Sequence, residues 1–489
     1  MKYRTIFDLL LVPIVCSVLA GCSESRTATE FCLVGEFDLG ARYQGMHSAA
    51  GEMYPTRFCY VIEDGKDNVL FSAHGKSNPD MDGDWTVAFL PPDRVRIVNR
   101  ASPPDIEFSG KSVVHEALRY RRTDPVRLLA ELTANPDWVI RRSDDGWVTV
   151  RYPGNPDNAE LLIVDDRLIE FRAQTDIPLR GNVDVVWRWD WSDEHTPRLH
   201  LSVEDDLVFG ARGSWQRLDA PETATIWEIS GGQEAVQVPG DRWPATINLE
   251  TQEIADNVHL VTGVRTGFSH IVIETSDGLV VGDAPAGWVE LQQLPPVDLV
   301  PGYSISGLSE NFVDFLDKQF PQSPIQAVAI THAHDDHAGG ARAFAAAGAK
   351  VYAPEGVAAF LTEAFNREDM PDDRLRARGG TVSVLPVAQR LTLGDDEVEL
   401  VVLPGGPHVD TALGVWAKAA GVFFQSDLHV PRSDDDSPRT DRAATECWFA
   451  DWAARNLPAD TIVVNSHSSP RTPVSRLAKY LESETCRNL

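Results

Sequence analysis

Strict alternation of apolar and polar residues dominates the first half of the chain, and longer apolar runs dominate the second. In "VDVVWRWDW" (183–191), Val185, Trp187, Trp189 and Trp191 fall on one face, with Val186, Arg188 and Asp190 on the other. A period of two with one apolar face predicts a half-buried antiparallel strand. "WVTVRY" (147–152) and "ELLIVDDRLIEFRA" (160–173) have strand length and strand composition. "DPVRLLAEL" (124–132) predicts a helix, with Asp124 as N-cap and Pro125 at the first helical position. Residues 31–218 therefore read as a mainly antiparallel β domain, a curved sheet with a helix against it. The tryptophan stripe can line an apolar groove, but core is the simpler assignment.

Residues 219–252 contain "DAPETA", "SGGQ" and "VPGDRWPA", rich in Pro and Gly, and read as a linker. Beyond it the pattern changes. Strands predicted at 269–274, 278–282 and 325–331 alternate with helices at 309–320, 340–347 and 355–365. "VELVVLPG" and "GVFFQSD" read as further strands, followed by a helix around 446–456 and a strand in "DTIVVNSH". Residues 253–489 thus form an α/β layer arrangement.

Composition narrows the function classes. A chain of 489 residues is too long for one ordinary core. Its 43% hydrophobic and 24% charged content is that of a globular protein. The net charge of −29 repels phosphate backbones, so nucleic acid is excluded as a partner and a small-molecule substrate is expected.

The N-terminus "MKYRTIFDLLLVPIVCSVLAGCSES" has Lys2 and Arg4, an apolar run from Leu9 to Val18, then small residues. That is the layout of a secretory signal and too short for a comfortable membrane span. Leu19-Ala20-Gly21-Cys22 resembles the lipobox of bacterial lipoproteins. The resemblance implies a signal peptide at 1–21, lipidation of Cys22 and a polar tether over 22–30. With Ser23 after the cysteine, it also implies the periplasmic face of the outer membrane, with membrane contact through the lipid anchor alone. Of the six cysteines, Cys32, Cys59, Cys447 and Cys486 then remain. Pairing Cys32 with Cys59 and Cys447 with Cys486 is the simplest arrangement in an oxidising compartment, and free buried thiols are the alternative.

The chemistry concentrates in "THAHDDHAGG" (331–340), directly after an apolar run. His332 and His334, two apart on extended backbone, can share one ion, while Asp336 and His337 follow a turn and can face a second. A loop at the carboxyl end of a strand is where α/β folds build sites. Three more apolar runs each end in a potential ligand: His408 in "LPGGPHVDT", Asp427 in "GVFFQSDLHV" and His467 in "TIVVNSHSSP". Imidazole with carboxylate suits zinc, with iron or manganese as alternatives.

These residues resemble the metallo-β-lactamase superfamily, the αββα sandwich of metal-dependent hydrolases. By position, the resemblance implies that His332, His334 and His408 hold one metal and Asp336, His337 and His467 a second. It implies that Asp427 bridges the two and that Asp283, in "IETSDGLVVGDAP", supports the site from behind. The chain departs from the family pattern at three places: Pro407-His408-Val409 stands for Gly-His-Thr, and Ser426 and Ser466 each stand for Gly. The expected cofactors are two Zn²⁺, and the expected reaction is attack by a metal-bridging hydroxide on an ester, thioester, lactone or related bond, with Asp336 orienting the nucleophile. An aspartate at the bridging place, rather than Cys or Ser, sets β-lactam hydrolysis second. A lipid-anchored ligand-binding protein with a non-catalytic metal domain is the alternative from another class. His429 reads as a histidine behind the ligands or at the surface, His259 and His270 as structural, and "SDDDS" (433–437) as an exposed loop.

Overall fold

The computed structural model describes residues 125–151, 159–191, 249–286 and 306–489, some with short internal breaks, and a set of strands between 29 and 238. The signal peptide, the lipidation site Cys22 and most of "SDDDS" lie outside the described residues.

Among the described residues, the N-terminal half holds two sheets. One joins Thr29–Phe37, Tyr54–Ile62, Val69–His74, Trp85–Leu90, Arg94–Asn99 and Ile106–Ser109 in sequence order. Its edges are Arg212–Arg217 and Val236–Val238, the latter parallel to Ile106–Ser109 and drawn from the stretch read as linker. The register sets Cys32 opposite Cys59. The second sheet is an antiparallel meander from Val139–Arg142 to Asp206–Phe209. The helix is Pro125–Ala134, and it packs against the strand Arg167–Ile177.

"ELLIVDDRLIEFRA" is two strands rather than one. Ala159–Val164 and Arg167–Ile177 pair as a hairpin across Asp165 and Asp166, at φ 49° and 56°. Two consecutive left-handed residues make the tight turn whose twist matches that of the flanking strands, and aspartate tolerates that conformation better than most residues. In the strand Gly181–Trp191, Trp187 and Trp189 are buried while Arg188 and Asp190 are exposed, as core assignment requires.

The C-terminal half is an αββα sandwich. One sheet runs Glu250–Ala255, Val258–Thr262, Ser269–Thr275 and Gly278–Gly282 as antiparallel neighbours, then Ile325–Ala329, Lys350–Pro354 and Val384–Val387 in parallel. It begins at Glu250, ahead of the expected 253. The other sheet orders Arg390–Leu393, Val398–Pro404, Thr411–Ala417, Val422–Phe424, Ile462–Val464 and Thr472–Pro473.

The apolar runs are continuous because both faces of their strands are buried. Ile271, Ile273, Val280, Ala327 and Ala329 meet Leu400, Leu413, Val415 and Phe424 between the sheets. Their immediate neighbours Val272, Leu279, Val281 and Val328 point outward, into the cluster with Phe312, Phe344 and Leu361 of the helices. On the other side Phe423 and Val463 meet Phe449, Ala453 and Leu477. Leu179, in the turn before Gly181–Trp191, is 2% exposed within the first helix-side cluster, so the two halves share buried surface. Cys447 and Cys486 form a disulfide with a Cα separation of 5.5 Å, tying the helix Ala443–Asn456 to the C-terminal turn.

One buried ion pair fastens the helices outside the first sheet. Arg342 donates to both oxygens of Asp373, at 2.5 and 2.8 Å, and to the Phe365 carbonyl. Burial opposes charge on Asp373, yet the Arg342 hydrogen bond and the Arg376 amide hold its carboxyl below the ordinary 3.8. Replacing Arg342 by Met leaves that carboxylate buried and unpaired, and is expected to cost about 3–5 kcal/mol in denaturant unfolding at pH 7. A group with a depressed folded value stabilises above its unfolded value and ceases to do so as pH falls through the folded one. The deficit of Arg342→Met therefore shrinks below about pH 4; a deficit that persists unchanged at pH 3 rules the assignment out.

Candidate metal centre

Each candidate ligand stands where a strand runs out. Ile325–Ala329 delivers the segment 330–334, after which Asp335–Ala338 forms one helical turn and Ala341–Ala346 the next. The "DDHA" turn was expected as loop. It is short but anchored: Ala284 N–H donates to the His337 carbonyl at 2.7 Å, Ala286 N–H to Asp335 at 3.1 Å, and Gly340 N–H to Ala284 at 2.8 Å. Gly340 is required by space, because a Cβ there would lie 2.1 Å from Ser309 Oγ and 2.4 Å from the Pro285 carbonyl. His408 follows Val398–Pro404, Asp427 follows Val422–Phe424, and His467 follows Ile462–Val464.

The structure brings six of the seven residues into two overlapping groups. His332, His334, His408 and Asp427 each offer a donor atom within 4.8 Å of the others, and His337, Asp427 and His467 do the same. Asp427 is shared. Its Oδ1 lies 3.6 Å from His332 Nε2, and its Oδ2 lies 3.0 Å from His408, 3.7 Å from His337 and 3.7 Å from His467, all at Nε2. Asp336 Oδ2 is 3.5 Å from His337 Nε2, so it stands beside the second group.

Behind the ligands Asp283 is fully buried, at φ 67°. It accepts the Thr331 N–H at 2.8 Å, His337 Nδ1–H at 3.0 Å and the Ser426 hydroxyl at 2.9 Å. Holding Nδ1 fixes the His337 tautomer and turns Nε2 toward the cluster. Ser426 also has a left-handed backbone, at φ 66°. This accounts for glycine as the usual residue there, and the hydroxyl bond to Asp283 compensates for the serine.

The electrostatics are those of a cation site. Burial disfavours charge on His337, but Asp336, Asp427 and Asp283 outweigh it and raise its value to about 10. His332 is lowered to about 3 by burial, against the pull of Asp427. Burial and the neighbouring His332 and His408 lower His334, and burial lowers His467. Asp427 is buried, yet His408, His332 and His337 hold its carboxyl well below the ordinary range. Two buried atoms, His337 Nε2 and Asp427 Oδ1, have no hydrogen-bond partner. Buried imidazoles, three of them held toward neutrality, converging on a shared carboxylate are the donor set that zinc takes, so these residues fit divalent cations.

Other histidines stand apart. His259 Nε2 is 3.0 Å from Glu274 Oε1, and His270 Nδ1 is 3.2 Å from the Gly282 carbonyl. His429 is not a surface residue: it is fully buried, stacked on Phe449, with Nε2 3.2 Å from Thr472 Oγ1. Sequence reasoning missed Phe268, whose ring centroid lies 4.7 Å from that of His467 and 5.9 Å from that of His337. It also missed the Ser426 hydroxyl, although the departure from glycine marked the position.

Residues 306–467 match the family described as metallo-beta-lactamase superfamily. The matched stretch lies within the C-terminal half and spans all six residues from His332 to His467 that form the two ligand groups. Among solved structures the chain is similar to a metallo-beta-lactamase from Pontibacter korlensis, at 18% identity and TM-score 0.35, over 50% of this chain and 100% of that one. Another is the metallo beta lactamase from Hirschia baltica, at 18% identity and TM-score 0.33, over 48% and 96%. A third is the DIM-1 metallo-beta-lactamase, at 15% identity and TM-score 0.34, over 49% and 98%. No curated protein matches the chain.

The paired effects at position 426 are testable by denaturant unfolding. Ser426→Gly relieves left-handed strain of about 1 kcal/mol and loses a hydrogen bond of about the same worth, so its stability should stay near wild type. Ser426→Ala loses the bond and keeps the strain, so it should fall below Ser426→Gly by about 1 kcal/mol. An alanine variant as stable as the glycine variant contradicts this account.

Proposed function

We propose that the C-terminal domain is a dinuclear zinc-dependent hydrolase of ester, thioester, lactone or related acyl bonds, carried on an envelope lipoprotein anchored at Cys22. The observation that carries the reading is Asp427, whose carboxylate is common to both ligand groups: Oδ1 faces His332, and Oδ2 faces His408 of the first group together with His337 and His467 of the second. His332, His334, His408 and Asp427 would hold one cation; His337, His467, Asp336 and Asp427 would hold the other. Bound there, zinc supplies a Lewis acid and brings the pKa of water near neutrality.

The chain's own residues do the rest. Asp283 keeps the His337 ring from turning, and Thr331 Oγ1, 3.0 Å from His332 Nδ1, does the same for His332. Asp336, with a side chain 17% exposed, is the carboxylate that reaches the open side of the cluster. There it orients the attacking water and takes its proton. Phe268 packs its ring against His467 and restrains that imidazole. Water oxygen bonds to the acyl carbon, the bond to the leaving oxygen, sulfur or nitrogen breaks, and the proton taken by Asp336 returns to the leaving group directly or through solvent. The lipobox sequence at residues 19–22 supports placement in the envelope.

The test is a zinc-loaded protein assayed on ester, thioester, lactone and β-lactam panels, with zinc content read by elemental analysis. Asp336→Ala is expected to keep most of its zinc and lose activity by on the order of 10²–10⁴-fold. His332→Ala should lose one zinc and Asp427→Ala both. Zinc-replete protein inert on every panel, or full activity in the Asp336 and His332 variants, would overturn the reading. Loss of acylation in Cys22→Ser tests the anchor separately.

A further inference from the structure

The main chain around Asp427 raises an accounting problem. The strand Val422–Phe424 is only three residues long, and the chain has left the sheet ladder before it reaches the shared ligand. From Gln425 to Val430 the backbone is nevertheless buried. Buried amides and carbonyls must find partners, and outside a ladder those partners include side chains.

Main-chain groups serve the first two residues, Gln425 N–H donating to the Val464 carbonyl at 3.2 Å and the Ser426 carbonyl accepting the Ser466 N–H at 2.8 Å. From Asp427 onward the partners described below are side chains from two places. Gln425 grips His429 at both ends, its Oε1 accepting the His429 N–H at 3.0 Å and its Nε2 donating to the His429 carbonyl at 2.8 Å. Arg442 donates to the Asp427 carbonyl itself. Glu446, fully buried in the helix Ala443–Asn456, accepts the Val430 N–H at 3.3 Å with one oxygen and the Arg439 N–H at 2.8 Å with the other. Arg439 returns a bond from its guanidinium to the Val430 carbonyl at 3.2 Å. The single carboxylate of Glu446 thus clasps both sides of the excursion that leaves the sheet at Asp427 and returns at the helix.

The same helix also backs the His408 loop. A Cβ on Gly406 would lie 3.1 Å from the Trp448 ring, so that loop rests on the indole two residues beyond Glu446. Cys447, between them, carries the disulfide to Cys486.

We propose that Glu446, with Arg442, is a positioning residue for Asp427: it fixes the main chain that presents the shared carboxylate, without touching metal or substrate. This rests on the reading of Asp427 as a metal ligand. A glutamine at 446 can accept one of the two N–H donors but turns an NH₂ toward the other, so the clasp opens on one side while size and burial are kept.

The experiment is zinc affinity by competition with a chromophoric chelator, on full-length apo protein, alongside thermal unfolding without metal. Glu446→Gln should weaken zinc binding by about ten- to a hundredfold while the apo protein still unfolds cooperatively. Arg442→Met, which removes the donor to the Asp427 carbonyl, should act in the same direction and decides the matter if the first variant does not fold. Glu399→Gln serves as the comparison: a buried carboxylate paired with Arg390 and Lys418 on the second sheet, expected to change stability and leave zinc affinity alone. Affinity within twofold of wild type in the folded variants, or an equal loss in Glu399→Gln, overturns the proposal. So does a wild-type protein that takes up no zinc. A wild type that binds zinc and hydrolyses nothing sinks the hydrolase reading and leaves this one standing.

Discussion

Burying the Asp427 carboxylate is the constraint around which the C-terminal domain is arranged. Taking one carboxylate from water costs several kcal/mol unless positive charge is near. Four histidine nitrogens lie within 3.7 Å of its oxygens, but imidazole is not automatically a cation. His332 and His334 are pushed toward neutrality by burial, which leaves His337 to carry positive charge. His337 then faces the carboxylates of Asp283, Asp336 and Asp427. Buried carboxylates gathered among imidazoles in this way are a donor set suited to a divalent cation. The energetic demand of the fold and the chemical capacity of the site have the same origin.

The sandwich answers that demand by geometry. Strands buried on both faces hold an ionisable group only where it is paired, as Glu399 is with Arg390 and Lys418, so the candidate ligands gather where strands end. Three antiparallel and parallel runs of the second sheet and one of the first finish on the same side. Their register is locked by continuous apolar cores between and outside the sheets. Cross-links between loops follow, such as Leu413 N–H to the Thr331 carbonyl at 2.7 Å and Ser466 N–H to the Ser426 carbonyl at 2.8 Å. Long-range bonds of this kind hold residues far apart in sequence at the spacing a shared ion needs.

How much of this could be read in the chain follows from range. The helices at 307–319, 355–365 and 443–456 and the apolar strands were legible because burial on one or two faces writes a period into nearby residues. The candidate ligands could be picked out because they follow four apolar runs at their ends, in the runs' loops or the turn just beyond. The turn at Asp165-Asp166 was not, since two aspartates carry no glycine signal and the left-handed conformation appears only when the strands pair. Nor could Phe268, Gln425, Arg442 or Glu446 be singled out. Their roles depend on partners reached through folding, and no spacing rule connects Glu446 to the amide of Val430 sixteen residues earlier.

The three departures from the family pattern lose their strangeness once backbone and side chain are considered together. A glycine before the shared aspartate serves a left-handed bend, which this chain makes with Ser426 at φ 66°. The penalty is local, whereas the hydroxyl acts across the site, reaching Asp283 and lying 3.0 Å from His337 Nδ1 and 3.4 Å from Ser466 Oγ. Ser466, the second departure, is therefore the neighbour of the first, and the pair form a polar seam between the Asp427 and His467 strands. Substitutions that look independent along the sequence are one arrangement in space. The third, Pro407 before His408, falls on the loop that Trp448 supports through Gly406, where a fixed φ stiffens a segment already backed by a ring. In each case the chain exchanges backbone freedom for side-chain restraint around a candidate ligand, which keeps the residue while changing how it is held.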